Sequence, residues 1–184
     1  MALSASIFKA EIDISDLRRH YYQSHSLTLA RHPSETNERM MLRLLAFALF
    51  ADEQLSFTRG LSNDDEPDLW LKELHGGIRL WIELGQPSAK RLRRARSQSE
   101  HVVVISYGGR PAAQWWQDEG EQLAKERWLS VIDIPSEASQ TLADWVQRTM
   151  QLQFTLDEDS IWASCADHAL QIQPVLRCGH ILNH

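Results

Sequence analysis

The run HVVVISY, His101 to Tyr107, limits the fold more than any other stretch of the chain. β-Branched residues that do not alternate with polar ones belong to a strand covered on both faces, the pattern of a mixed or parallel sheet with layers on either side. IRLWIEL, Ile78 to Leu84, repeats the demand: Ile78, Leu80, Ile82 and Leu84 lie on one face, Arg79, Trp81 and Glu83 on the other, and neither face is fully polar. Helical patterns separate such runs along the middle of the chain. The expected fold is therefore α/β, with one mixed central sheet flanked by helices and antiparallel strands at both ends. At 184 residues the chain suits one domain, 1–184.

Around that centre the periodicities assign the remaining elements. Phe8, Ala10, Ile12 and Ile14 alternate with Lys9, Glu11 and Asp13 in a strand, and Ser15 to His25 reads as a polar connection. LTLARHPSE gives a short strand and then a helix start with Ser34 as N-cap, running to about Ala51 with Met41, Leu44, Leu45, Ala48 and Leu49 as its apolar stripe. LSFT is a brief strand, and Pro67 opens a short helix with Asp68 in its first turn. Ser88 caps a helix to about Ser99, Arg110 to Lys125 forms another, and WLSVIDI is a strand. Ser136 to Met150 is helical, a hairpin turns at Asp157 to Asp159, ALQIQP adds an edge, and the rest reads as a tail.

A net charge of −6 argues against whole-protein attraction to polyanions, so any nucleic-acid contact must be local. Two cysteines, no apolar leader in Met1 to Ala10 and no apolar run of about 18 residues predict a reduced, cytoplasmic chain that does not enter membranes. GxSxG, P-loop and GxGxxG motifs are missing, which leaves serine hydrolase, nucleotide triphosphatase and dinucleotide chemistry without support.

Five groups of residues bear on chemistry. Glu83 stands one residue from the carboxyl end of a central strand, where ligands of α/β sheets bind, but a carboxylate paired with Arg79 or a neighbouring strand is equally compatible with its position. Glu38 extends the apolar stripe of its helix, so it is paired, protonated or ligating, or else serves the helix dipole. Asp64, Asp65, Glu66 and Asp68 supply oxygen ligands for a divalent cation or form a solvated acidic turn. Lys90, Arg91, Arg93, Arg94 and Arg96 make a dense basic block that suits phosphate binding or a solvated helix face. Cys165, His168, Cys178 and His180 are metal-ligand types, but their spacings fit no common zinc module.

The segments SLTLARHPSETNERMMLRLLAFALFADEQLSFTRGL, DDEP, LWIELGQP and RTMQLQ, with the start MALSASIFKAEI, resemble the YaeQ family of bacterial proteins over nearly the whole chain. That resemblance implies a variant of the PD-(D/E)XK, restriction-endonuclease-like core. Such a site has an acid on the first core helix, an Asp, and an acid two residues before a Lys on a central strand. Residue by residue this suggests Glu38, Asp68 and Glu83, with Asp65 or Glu66 as other candidates for the second acid. Gly85 stands where the motif has Lys, and Lys90 or Arg91 of the following helix is the candidate replacement. The implied activity is a nuclease-type phosphodiesterase using Mg²⁺ or Mn²⁺ at Glu38, Asp68 and Glu83, with DNA or RNA held by Arg91, Arg93 and Arg94. The alternative is an inactive nuclease-fold protein acting as a nucleic-acid or transcription-associated binding factor.

Overall fold

The computed structural model describes residues 4–59, 61 and 65–181, so Asp64 of the acidic run lies outside the described residues. Two mixed sheets replace the expected single one. The first comprises β1 (Ser6–Asp16), β2 (Tyr21–Arg31), β8 (Thr149–Leu156), β9 (Ile161–Ser164) and β10 (Ala169–Ile172), in the order β10-β9-β8-β1-β2. The second comprises β3 (Leu55–Phe57), β4 (Leu69–Lys72), β5 (Ile78–Leu84), β6 (Ser99–Ser106), β7 (Leu129–Asp133) and β11 (Val175–Cys178), in the order β11-β7-β6-β5-β4-β3. Its centre, β5-β6-β7, is parallel, and its outer pairings are antiparallel. In the first sheet only β1 and β8 run parallel.

The helices are α1 (Asn37–Leu49), α2 (Ala89–Gln98), α3 (Arg110–Leu123) and α4 (Ser136–Asp144). α1 lies between the sheets, which is why every residue from Met40 to Leu49 is buried rather than one stripe. The inward residues of β1, Phe8, Ala10, Ile12 and Ile14, share that core with Leu80, Ile82, Val103 and Ile105 of the second sheet. The other face of the second sheet offers Trp81, Val102, Val104 and Val131 to Leu92 and Ala95 of α2 and Leu123 of α3. Thus β5 and β6 are covered on both faces, as their sequences demand.

Five local expectations are corrected. Ser15 to His25 is mostly strand, because β2 is a sheet edge with one wet face and its polar residues occupy that face. The N-cap of α1 is Thr36, whose Oγ1 accepts the Arg39 N–H at 3.1 Å, while Ser34 bonds back to the His32 ring. No helix follows Pro67: Leu69 and Leu71 alternate with Trp70 and Lys72, and Asp68 stands at the head of strand β4. α4 stops at Asp144, and Met150 belongs to β8, where Met150, Leu152, Phe154 and Leu156 point inward at period two. The expected tail contains β11, tied to β7 by Gly179, where φ is +77° and a Cβ would collide with the Leu129 carbonyl and Ser130.

Candidate functional site

A cleft of about 220 Å³ opens at the carboxyl end of β5, lined by Arg39, Glu66, Asp68, Glu83, Gln86 and Arg91 among others. Three pieces of local structure build it. β4 enters with Asp68, only 2 % exposed, whose N–H donates to the Ile82 carbonyl at 2.9 Å and whose Oδ2 accepts the Leu84 N–H at 2.8 Å. β5 presents Glu83, 4 % exposed, on the same face as Trp81, whose indole N–H donates to Glu83 Oε1 at 2.7 Å. α2 begins at its Ser88 cap and returns Arg91 over the strand end, where Nε meets Glu83 Oε1 at 2.8 Å and Nη2 donates to the Glu66 carbonyl at 2.7 Å.

From the opposite side of the sheet α1 supplies Arg39, whose Nη1 lies 2.6 Å from Asp68 Oδ1. The same guanidinium is 3.7 Å from Glu35 Oε1, and Glu35 Oε2 accepts from Arg43 at 2.8 Å. Each buried acid therefore has a cation, as removal from water requires. Burial pushes the Glu83 carboxyl above the usual range against the pull of Arg91 and Trp81, and the Asp68 charge raises it further. Burial raises Glu35 despite Arg43 and Arg39. The Tyr107 phenol is raised by burial too, and it feels Arg39, Glu38, Asp68 and Glu35 at once.

The structure brings Asp68, Glu83 and Arg91 together. Glu38 is held elsewhere: its Oε1 accepts from Ser139 of α4 at 2.6 Å. Asp65 is exposed and pairs with Arg94, while the Glu66 carboxylate takes the Arg59 N–H at 3.3 Å, so among the described residues of the run Asp68 is the acid buried beside β5. Between the two candidate cations Arg91 makes the contact, and Lys90 is exposed. Gly85 has φ of +99°, a conformation open to glycine and strained for lysine, so the motif cation has no place at that position. Of the basic helix, Arg93 is exposed, Arg91 and Arg94 are engaged by acids, and Arg96 donates to the Ser99 and Glu100 carbonyls. Among the described residues no group of three or more His, Cys, Asp and Glu is placed to hold a metal ion. Cys165 follows β9 in one sheet and Cys178 ends β11 in the other, both as free thiols.

Arg39 and the Glu35–Arg43 pair behind it were not singled out from the sequence as parts of a site. Their signal was present: Arg43 interrupts the apolar run MMLRLLAFAL, and a cation at such a position needs a buried acid, which Glu35 supplies from just before the Thr36 cap. Among the described residues no helix is long and apolar enough to cross a membrane.

Known proteins share this framework. YaeQ of Salmonella typhi is 47% identical over 173 residues, covering 94% of this chain and 96% of that protein. YaeQ of Escherichia coli K12 is 46% identical over 172 residues, at 94% and 95% coverage. The crystal structure of YaeQ from Xanthomonas axonopodis pv. citri superposes with a TM-score of 0.93 at 45% identity, covering 96% of this chain and all (100%) of that one. That from Pseudomonas syringae gives 0.91 at 33% identity, with 96% and 98% covered. The family model described as YaeQ protein matches residues 1–174, which include every residue lining the cleft, and the chain therefore belongs to the YaeQ family.

Proposed function

We propose that the cleft at the end of β5 holds Mg²⁺ or Mn²⁺ and hydrolyses phosphodiester bonds of nucleic acid. One observation carries the reading: Asp68 and Glu83, buried carboxylates of adjacent strands, meet in one cleft with Arg91 from the following helix. The donor set fits, since Mg²⁺ takes one or two carboxylates and keeps waters for its other positions. Asp68 and Glu83 would hold the ion, which when bound lowers the pKa of a water and neutralises charge on phosphate. The order of elements, α1-β3-β4-β5-α2-β6, with Asp68 just before β4 and Glu83 on β5, supports the reading of a restriction-endonuclease-like core.

The chain's own groups divide the remaining work. Arg91 stays protonated, so its part is to steady negative charge on the phosphate rather than to take a proton. Lys90, exposed one residue earlier, is the group of α2 that can exchange a proton with solvent. Arg93 extends the cationic surface for the backbone of DNA or RNA, and the setting is the cytoplasm. Glu38, on its Ser139 contact, anchors α1 to α4 behind the cleft.

A second reading is favoured by the state of the acids: both are neutralised by arginines, and Gly85 excludes the usual lysine. In that reading the fold is an inactive nucleic-acid or transcription-associated binding factor. The discriminating experiment follows cleavage of single- and double-stranded DNA and RNA with Mg²⁺ or Mn²⁺, comparing wild type with Glu83→Gln and Asp68→Asn. The nuclease reading expects divalent-dependent cleavage that each variant slows by about 100-fold or more. Equal background from all three selects the binding factor.

A further inference from the structure

Arg43, Glu35, Arg39 and Asp68 form a line of alternating charge from the core to the cleft. Arg43 is 2 % and Glu35 7 % exposed, whereas Arg39 and Asp68 line the cleft. Arg39 stands between two acids with its Nη1 at 2.6 Å from one and 3.7 Å from the other. It also occupies the first turn of α1, where the helix dipole disfavours a cation, so these two carboxylates are what hold it there.

Asp68 Oδ1 is taken by Arg39 and Oδ2 by the Leu84 N–H, so a divalent ion that binds Oδ1 competes with the guanidinium for that oxygen. Arg39 has an alternative acid already within ion-pair range and needs only a short side-chain movement to close on it. Glu35 can accept a second guanidinium, because Arg43 holds its Oε2 while Oε1 is the oxygen that faces Arg39.

We infer that Arg39 is the resident cation of the cleft, neutralising Asp68 when no metal is present and moving onto Glu35 when a divalent ion binds. Glu35, which is not a metal ligand, thereby sets metal affinity. The inference rests on the metal-site reading above and deepens it by naming the residue pair that regulates occupancy. A purely structural ion-pair network would respond differently, since removing either member would lower stability and leave cation affinity alone.

The test is Mn²⁺ binding by titration calorimetry, together with the Mn²⁺-induced rise in melting temperature, for wild type, Arg39→Gln, Glu35→Gln and Asp68→Asn. Arg39→Gln should bind Mn²⁺ about tenfold more tightly, because a charge-assisted bond no longer competes. Glu35→Gln should bind about tenfold more weakly, because Arg39 then has nowhere to go. Asp68→Asn should lose the site. If circular dichroism shows Arg39→Gln unfolded, Arg39→Lys replaces it, with affinity expected between wild type and the tenfold gain. Unchanged affinity in the Arg39 and Glu35 variants, with binding still abolished by Asp68→Asn, overturns the exchange and leaves the metal site standing. No Mn²⁺ binding by wild type and Arg39 variants alike removes both.

Discussion

Asp16 and Glu83 are both buried carboxylates held by arginine, yet their surroundings give them opposite properties. Asp16, fully buried, is gripped by Arg18 at 2.7 Å and Arg19 at 2.8 Å, residues two and three along the chain. Those guanidiniums then donate to the Leu49 and Ala51 carbonyls, so the cluster closes the C-terminal end of α1 and fastens it to the β1–β2 turn. Burial pushes the Asp16 carboxyl up, but the two arginines outweigh it and the net shift is downward. At Glu83 one arginine and one indole do not outweigh burial, and the net shift is upward. Asp16 belongs to a local clamp in which both guanidiniums hold the acid, although Arg19 Nη2 is buried without a hydrogen-bond partner among the described residues. Glu83 belongs to a cluster drawn from α1, β4, β5 and α2 that faces a cleft and keeps its carboxylate under electrostatic stress, the pattern associated with functional rather than structural acids.

The sharpest way to break this contrast is thermal unfolding. Asp16→Asn should lower stability by about 3 kcal/mol, a fall in Tm of about 10 °C, because two buried guanidiniums lose their acid. Glu83→Gln should change stability by less than about 1 kcal/mol, since Gln keeps an acceptor for Trp81 and Arg91, 27% exposed, can turn to water. Equal losses would put both acids in the structural class. The pH dependence gives a smaller but signed test. Asp16, shifted down, contributes stability that is complete above about pH 4 and is lost as pH falls through its lower folded value. Glu83, shifted up, does the reverse: wild type should gain on Glu83→Gln as pH falls through the raised folded value toward about 4.3. Melting curves of the two variants and wild type between about pH 3 and 7 check both signs.

Much of the second sheet was legible because its central strands are covered on both faces, and a continuous apolar run has few other solutions. Ser88 and Ile78–Leu84 were readable for the same kind of local reason: a cap and an alternation each carry their own signal. The division into two sheets was not legible, since strand pairing of β1 with β8 joins residues more than a hundred positions apart and leaves no local trace. Pro67 misled because a proline after an acidic run suits both a helix start and the approach to a strand, and pairing with β5 decided it. Within the site, Asp68, Glu83 and Arg91 were visible as charges at element ends. Arg39 was hidden because α1 is buried on all sides from Met40 onward, so the helical period gives no sign of which sheet each flank faces. The choice between Lys90 and Arg91 depended on the turn at Gly85 and Pro87, which rotates α2 so that Arg91 faces Glu83.

The central claim is that the Asp68–Glu83 cleft is a divalent-cation site and the Asp16 clamp is not. The most direct measurement is the anomalous difference density of crystals grown with Mn²⁺. The account predicts one peak in the cleft, ligated by the Asp68 and Glu83 carboxylates, with Arg39 moved toward Glu35. A structure with no peak there, and Arg39 and Arg91 still on the two acids, would contradict it.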